Sequence, residues 1–287
     1  MLKEEIDSLA AGREFSRRDF VQTTVGSGFA AALLPVAAQT VTTDGAGLEA
    51  GSVSIAVGDL QMPAYCAQPA GKTKLPVVVV ASEIFGVHEH IADVCRRLAR
   101  QGYLAIAPEL FVRQGNAGAY TDIPRLIAEV VGKASDTQVN GDLDATVAWA
   151  AAHGGDVTKL GITGFCWGGR TTWSYVAHNP AVKAGVAWYG PVARPYFAGD
   201  KTVIDLAASI QAPVLGLYGA ADTGIPVETL TQLEAALKAA GNTRCEIVVY
   251  PDTPHAFHAD YRPSYRKEAA EDGWARCLAW FRKNGVA

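Results

Sequence analysis

The sequence predicts an α/β fold in which a mainly parallel sheet has helices on both faces and an antiparallel edge at its N-terminal end. Alternating polar and apolar residues predict two opening strands, 53–57 and 62–67, and Gly58-Asp59 marks the turn between them. The continuous β-branched run 75–81 is typical of a strand that is buried on both faces. From there strand and helix patterns alternate to the end of the chain, which is the order of parallel strands joined by crossover helices.

The remaining elements follow from the same periodicities. Residues 89–101 carry apolar side chains at helical spacing, and Gly102 ends that predicted helix. No internal repeat or second domain can be recognised, so residues 52–287 are predicted to form a single domain after a linker over 39–51. The further predicted strands are 103–107, 159–163, 184–189, 213–218 and 245–250, and the further predicted helices are 138–152, 168–178, 227–240 and 264–282.

Paired arginines precede a weakly apolar segment near the N-terminus. Arg17-Arg18 lies ahead of the run 25–38, which ends in the small residues Ala37-Ala38. This order resembles a bacterial twin-arginine signal, so we expect residues 1–38 to be a signal segment recognised by the twin-arginine export machinery. The mature protein would then be periplasmic or otherwise exported. The alternative is an amphipathic N-terminal helix that happens to contain two arginines, in which case the protein is cytoplasmic.

Composition and charge argue against several classes of partner. The net charge of −4 disfavours a nucleic-acid binder, because affinity for phosphates requires a basic surface. The sequence has no uninterrupted apolar stretch of about twenty residues, so we expect no membrane span in the mature chain. The five cysteines form no CxxC pair, and His88 and His90 have no third ligand nearby in sequence, so neither a metal nor an organic cofactor is expected.

The segment Gly164-Phe165-Cys166-Trp167-Gly168 lies between a predicted strand and a predicted helix. It has the form of the G-x-S-x-G nucleophile elbow, with cysteine in place of serine. The elbow is a sharp, strained turn, and it needs residues without bulk two positions before and after the nucleophile. The following helix N-terminus would favour a thiolate, and the backbone N–H of Trp167 would face a developing oxyanion.

The alternative for Cys166 is a buried thiol in a turn. The other cysteines, Cys66, Cys95, Cys245 and Cys277, lie in strand-like or helical apolar patterns and are interpreted as buried core residues.

Chain order supplies two partners for Cys166. Asp222 follows the predicted strand 213–218, and His255 follows the predicted strand 245–250. In α/β-hydrolases the acid and the histidine come after the nucleophile in this order, and their loops meet at the carboxyl edge of the sheet. Asp222 would orient His255, and His255 would activate Cys166, so these three residues are the predicted catalytic triad. As alternatives, Asp222 could be an ordinary turn residue, and His258 is near enough to replace His255.

Residues 52–284 resemble the dienelactone hydrolases, also called carboxymethylenebutenolidases, of the α/β-hydrolase superfamily. The similarity rests on Ser82-Glu83-Ile84-Phe85-Gly86, the run 107–114, the elbow with its second glycine Gly169, the acid loop 219–226, and Pro254-His255-Ala256-Phe257.

The resemblance implies hydrolysis of a small ester or lactone through a thioester on Cys166. It also implies that Glu83 contacts the resting nucleophile and is displaced when an anionic substrate binds. Ile84 would supply a second oxyanion N–H donor beside that of Trp167, and Arg113 would bind a carboxylate of the substrate.

One position departs from the family pattern. The family's second carboxylate-binding arginine corresponds to Ala259 here; Arg262 could replace it, or Tyr261 could reshape the pocket. The departure leaves the reaction class unchanged but puts dienelactone itself in question as the substrate. Two alternatives stay open: a general carboxylesterase or thioesterase for uncharged substrates, and a catalytically silent binding protein of the same fold.

Overall fold

The structure, a computed structural model, describes residues 41–287, so the predicted signal segment 1–38 lies outside the described residues. Within that part of the chain an eight-stranded sheet has the order β1-β2-β4-β3-β5-β6-β7-β8. The strands are β1 (Leu48–Val57), β2 (Leu60–Pro69), β3 (Leu75–Ala81), β4 (Leu104–Pro108), β5 (Gly155–Phe165), β6 (Ala184–Trp188), β7 (Val214–Gly219) and β8 (Glu246–Tyr250).

The sheet confirms the predicted fold class. β2 pairs antiparallel with both β1 and β4, and all the other neighbouring strands pair in parallel. Seven α-helices occur in the described part of the chain, and none of them is long and apolar enough to cross a membrane. The helices are α1 (Glu89–Arg100), α2 (Ile123–Glu129), α3 (Asp136–Ala152), α4 (Trp167–His178), α5 (Val203–Leu206), α6 (Val227–Ala239) and α7 (Lys267–Lys283).

Three differences from the predicted elements have local causes. The first strand begins at Leu48 rather than at residue 53, because the strand pairing with β2 continues to the Leu48–Pro69 pair. Helix α2 was absent from the prediction; it has only seven residues and depends on the Asp122 side chain, which accepts a hydrogen bond from the Arg125 N–H at 2.9 Å. Helix α7 begins three residues later than predicted, since the Tyr265 and Arg266 amides bond to loop carbonyls instead.

The parallel strands place their carboxyl ends at one edge of the sheet. β3 lies between β4 and β5, and its residues from Val77 to Ala81 are buried. The loops that leave β3, β5, β6, β7 and β8 carry Glu83, Cys166, Tyr189, Asp222 and His255. Loops at the carboxyl edge of an open parallel sheet are the usual position of a binding site in α/β proteins.

Candidate active site

Cys166 stands at the turn between β5 and α4, as the elbow motif predicts. Its backbone has φ 56° and ψ −117°, which a residue with a side chain adopts only under strain. The Cys166 amide donates to the Trp188 carbonyl at 3.0 Å, and the Cys166 carbonyl accepts from the Gly169 and Arg170 amides. The cysteine side chain is buried at the edge of the sheet, immediately before the first turn of α4.

The glycines of the elbow allow the backbone of α4 to touch the sheet. A Cβ on Gly168 would lie 2.5 Å from the Ser82 carbonyl oxygen and closer still to that of Ala81. A Cβ on Gly169 would lie 2.9 Å from the Gly190 Cα and would overlap the Trp188 carbonyl at the end of β6. Each of these positions therefore excludes any side chain, and the helix packs directly on the backbone beyond β3 and β6.

Asp222 and His255 form a buried hydrogen-bonded pair. Nδ1 of His255 donates to Oδ2 of Asp222 at 2.6 Å, and the other carboxylate oxygen accepts from the Gly224 amide at 2.9 Å. Burial lowers the pKa of His255, but the nearby Asp222 carboxylate and the Cys166 sulfur raise it, and the net pKa is well above the ordinary value. Nε2 of His255 is buried and has no hydrogen-bond partner in the described structure. The pair therefore presents a basic ring, and the Cys166 sulfur lies close enough to that ring to raise its pKa.

Glu83 is almost completely buried, with 2% of its surface exposed. Its Oε2 atom accepts a hydrogen bond from the Tyr261 hydroxyl at 2.5 Å and lies 3.2 Å from Nε2 of His88. Burial raises the pKa of Glu83, but the His88 hydrogen bond and the Arg262 charge outweigh it and hold the pKa below its usual range. The resemblance implies a contact with the resting thiol, whereas the hydrogen bonds of Glu83 in the structure go to Tyr261 and His88.

The two predicted oxyanion donors follow two adjacent strands of the sheet. β3 and β5 are neighbours with Ala81 opposite Gly164, so Ile84 and Trp167 each come three residues after the same pair. Trp167 is the first residue of α4, where backbone N–H groups have no partner within the helix. Both backbone N–H groups thus follow the ends of adjacent strands, and that of Trp167 directly follows Cys166.

Arg113 forms a bidentate ion pair with Asp142 on α3. The two nitrogen–oxygen distances are 2.5 and 2.8 Å, and the Asp142 side chain is 1% exposed. A buried carboxylate needs a charged partner, and the two terminal nitrogens of an arginine can each bond to one carboxylate oxygen. The guanidinium is therefore engaged by the protein itself, and a contact of Arg113 with substrate stays a prediction.

The structure adds Arg262 and Tyr189 to the site. The Arg262 guanidinium lies over the Phe85 ring at 5.2 Å, and its charge acts on both Glu83 and Cys166. Arg262, one of the two candidates to compensate for the arginine missing at Ala259, lies at this site in the structure. Tyr189 has φ 38°, packs edge-on against His255 at 5.1 Å, and its buried hydroxyl has no partner in the described structure. Its place directly after β6 was the signal that sequence reasoning overlooked.

Residues 62–285 match the dienelactone hydrolase family. The chain belongs to that family. A Methylorubrum extorquens protein named "Putative carboxymethylenebutenolidase" is 56% identical over 286 residues, covering 99% of this chain and 98% of that one. An Escherichia coli K12 protein of the same name is 52% identical over 270 residues, covering 92% of this chain and 97% of its own. The crystal structure of a "Putative Dienelactone Hydrolase" from Klebsiella pneumoniae has 55% identity and a TM-score of 0.80, and the match covers 82% of this chain and 99% of that one. This dienelactone hydrolase family member is accordingly a hydrolase of esters or lactones.

The surroundings of two glycines, one in the elbow and one on an exposed helix face, predict that alanine changes the stability in opposite directions. Gly168→Ala places a Cβ against the carbonyls at the end of β3 and should lower the free energy of unfolding by about 1–3 kcal/mol. Gly141→Ala, on an open face of α3, meets no atom within 4 Å and should raise it by up to about 1 kcal/mol. Urea unfolding followed by circular dichroism measures both values, and equal stability of the two variants would contradict the close contact.

Proposed function

We propose that the protein hydrolyses a small ester or lactone with Cys166 as nucleophile, His255 as general base and acid, and Asp222 as the residue that orients His255. The observation that supports this best is the 2.6 Å bond between Asp222 and a buried His255 whose pKa the Cys166 sulfur also raises. A cysteine held at a strained strand-to-helix turn beside a basic histidine has the arrangement of an activated nucleophile.

The proposed reaction has two half-reactions. The thiol proton passes to Nε2 of His255, and the Cys166 sulfur attacks the carbonyl carbon of the ester. The carbon–oxygen bond breaks, the leaving alkoxide takes the proton from His255, and a thioester remains on Cys166. Water, deprotonated by His255, then attacks the thioester and releases the carboxylic acid, and the returned proton restores the thiol. Asp222 stabilises the histidinium that forms in both halves.

The proposed oxyanion site consists of the backbone N–H groups of Trp167 and Ile84. Both groups follow the ends of the adjacent strands β3 and β5, which supports a role in stabilising the negative charge that develops on the carbonyl oxygen. The positive end of the α4 dipole adds to this stabilisation.

We further propose that Arg262 binds an anionic group of the substrate. Burial lowers the pKa of Arg262, but its neighbours Tyr261 and Glu83 raise the pKa above its ordinary value, so the guanidinium is cationic at every relevant pH. Its charge reaches Cys166, which places it within range of a substrate attacked there. Arg113, by contrast, already has both carboxylate oxygens of Asp142 as partners.

An uncharged substrate is the second candidate, and one observation favours it. Glu83 is ionised and interacts with Arg262, so the protein itself already supplies a negative charge to this guanidinium. An uncharged carboxylic ester or thioester substrate would not compete with Glu83 for Arg262.

Cys166→Ala should lower kcat/KM for a small lactone by at least about 10³-fold, because the nucleophile is lost. Cys245→Ala, which removes a partly buried thiol immediately before β8, is the matched control and should keep the activity. Rapid quenching and intact-protein mass spectrometry should detect an acyl adduct on Cys166 of the wild type. Equal activity of Cys166→Ala and the wild type would refute the proposed nucleophile.

Arg262→Gln should lower kcat/KM for a carboxylate-bearing lactone by about 10-fold or more, since the proposed charge-assisted contact with the carboxylate is lost. The matched lactone without the carboxylate should change far less. Arg113→Ala is the comparison variant for the prediction that rests on family resemblance. A selective loss in Arg113→Ala alone would assign the anion to Arg113, and equal losses on both substrates in Arg262→Gln would favour the uncharged class.

We also propose export by the twin-arginine route, supported by the order of Arg17-Arg18, the apolar run and the small residues before Gln39. Replacing both arginines by lysine should leave uncleaved protein in the cytoplasm, because the export machinery reads the arginine pair. Arg13→Lys is the matched control. Fractionation and immunoblotting measure the distribution, and unchanged export of the double variant would contradict this route.

A further inference from the structure

The carboxyl group of Glu109 lies against the loop that leaves β3. Glu109 directly follows β4, and its Oε1 atom accepts a hydrogen bond from the Val87 amide at 2.8 Å. A Cβ on Gly86, whose φ is +76°, would lie 2.7 Å from the other carboxyl oxygen. The Glu109 side chain therefore fills the space beside Gly86, and the proposed triad and oxyanion donors leave it without a role.

We propose that Glu109 is a positioning residue for the oxyanion site, which holds the loop 82–87 so that the Ile84 N–H group keeps its orientation. This role rests on the proposed function, in which Cys166 is the nucleophile and Ile84 supplies one of the two oxyanion donors. It adds a residue to the proposed machinery that the sequence analysis did not single out.

The first half of the loop is fixed by packing. The Ser82 carbonyl oxygen would lie 2.5 Å from a Cβ on Gly168, so the first residue of the loop touches the backbone of α4. The Ile84 side chain is completely buried in the core. The second half of the loop has no comparable anchor in the elbow, and its position depends on other contacts.

A hydrogen bond within the loop orients the Ile84 N–H group. Ile84 and Phe85 are the central residues of a turn. The Gly86 amide closes this turn by donating to the Glu83 carbonyl at 3.3 Å. The Glu83 carbonyl and the Ile84 N–H belong to one planar trans peptide unit, so they point in opposite directions. The bond from Gly86 therefore directs the Ile84 N–H away from Gly86.

Glu109 keeps the donor of that bond in place. A distance of 3.3 Å is long for an N–H···O bond, so the turn is a weak constraint by itself. The Glu109 carboxyl binds the next amide, that of Val87, and packs on Gly86. The Glu109 amide in turn donates to the Pro63 carbonyl of β2 at 2.8 Å. The second half of the loop is thus tied to the sheet through Glu109.

This role requires an acceptor oxygen but no charge. Burial raises the pKa of Glu109 to about 7, although the bond from the Val87 amide lowers it. A protonated carboxyl keeps a carbonyl oxygen that can accept from an amide, and so does the side-chain amide of glutamine. Glu109→Gln should therefore preserve the contact, whereas methionine, of similar length, has no strong acceptor.

The test measures kcat and KM for p-nitrophenyl acetate. Both proposed half-reactions pass through an oxyanion, so a displaced Ile84 donor should slow both and leave ground-state binding intact. Glu109→Met should lower kcat by about 10-fold or more, with KM changing by less than about twofold. Glu109→Gln should stay within about threefold of the wild type. Glu49→Met removes a carboxylate that accepts the Gly71 amide at 3.0 Å on the opening hairpin, and it should leave kcat unchanged.

A second measurement addresses the oxyanion itself. With trifluoroacetone, the Cys166 sulfur adds to the carbonyl carbon, the thiol proton passes to Nε2 of His255, and the ketone oxygen becomes an alkoxide. This adduct carries the same charge as the proposed intermediate, so its stability should follow the rate. The inhibition constant should rise by about 10-fold or more in Glu109→Met and far less in Glu109→Gln.

The outcomes separate this role from the proposed function. An unchanged kcat in Glu109→Met, a loss that appears mainly in KM, an unchanged inhibition constant, or an equal loss in Glu109→Gln would overturn the positioning role. If Glu109→Met does not fold, Glu109→Ala provides the same comparison, because Glu109 lines an open cavity of about 270 Å³ that water can enter. If the wild-type Cys166 forms no acyl adduct with an ester, the proposed function fails. An adduct in the wild type together with full activity of Glu109→Met would refute only the role of Glu109.

Discussion

The site depends on one packing constraint: α4 begins against the backbone of the sheet with no side chain in between. Gly168 faces the carbonyls after β3, and Gly169 faces the backbone after β6. This contact holds Cys166 in its strained conformation, since relaxing φ would move the helix off the sheet. It also fixes the spacing between the cysteine, the Ile84 loop and Tyr189, because these groups lie on backbone segments that touch.

Three buried carboxylates near this edge each contact a histidine, and the pairs differ in what they can do. Asp222 bonds to His255, Glu83 to His88, and Asp260 to His90. The pKa of His255 is raised by Asp222 and Cys166, whereas burial dominates at His88 and lowers its pKa. Glu83 also accepts a hydrogen bond from Tyr261 and interacts with the Arg262 guanidinium, and the charge of Arg262 contributes to the lowered pKa of His88. His255 is therefore the ring suited to hold a proton during a reaction, and His88 is suited to a fixed neutral role.

The features that depend on periodicity and chain order can be predicted from the sequence. The parallel strands, the elbow at Cys166 and the loop positions of Asp222 and His255 follow from patterns that span a few residues each. The bond from His255 to Asp222 agrees with that order. The surroundings of Glu83 could not be predicted in the same way, because Tyr261 and His88 meet it across 178 and 5 residues in loops without periodicity. The ion pair of Arg113 could not be predicted either, because its partner Asp142 lies on a helix 29 residues later and no local sequence pattern indicates the pair.

The chain just after the predicted signal segment contributes to the support of the site. The Val41 amide bonds to Asp260, the Thr43 amide bonds to Asp93 at 2.6 Å, and Arg97 bonds to both carboxylates. Cleavage after Ala38 would leave Val41 and Thr43 on the mature chain, so these bonds would survive removal of the signal. A cut only a few residues later would remove the Val41 donor from Asp260, which directly precedes Tyr261, a hydrogen-bond donor to Glu83.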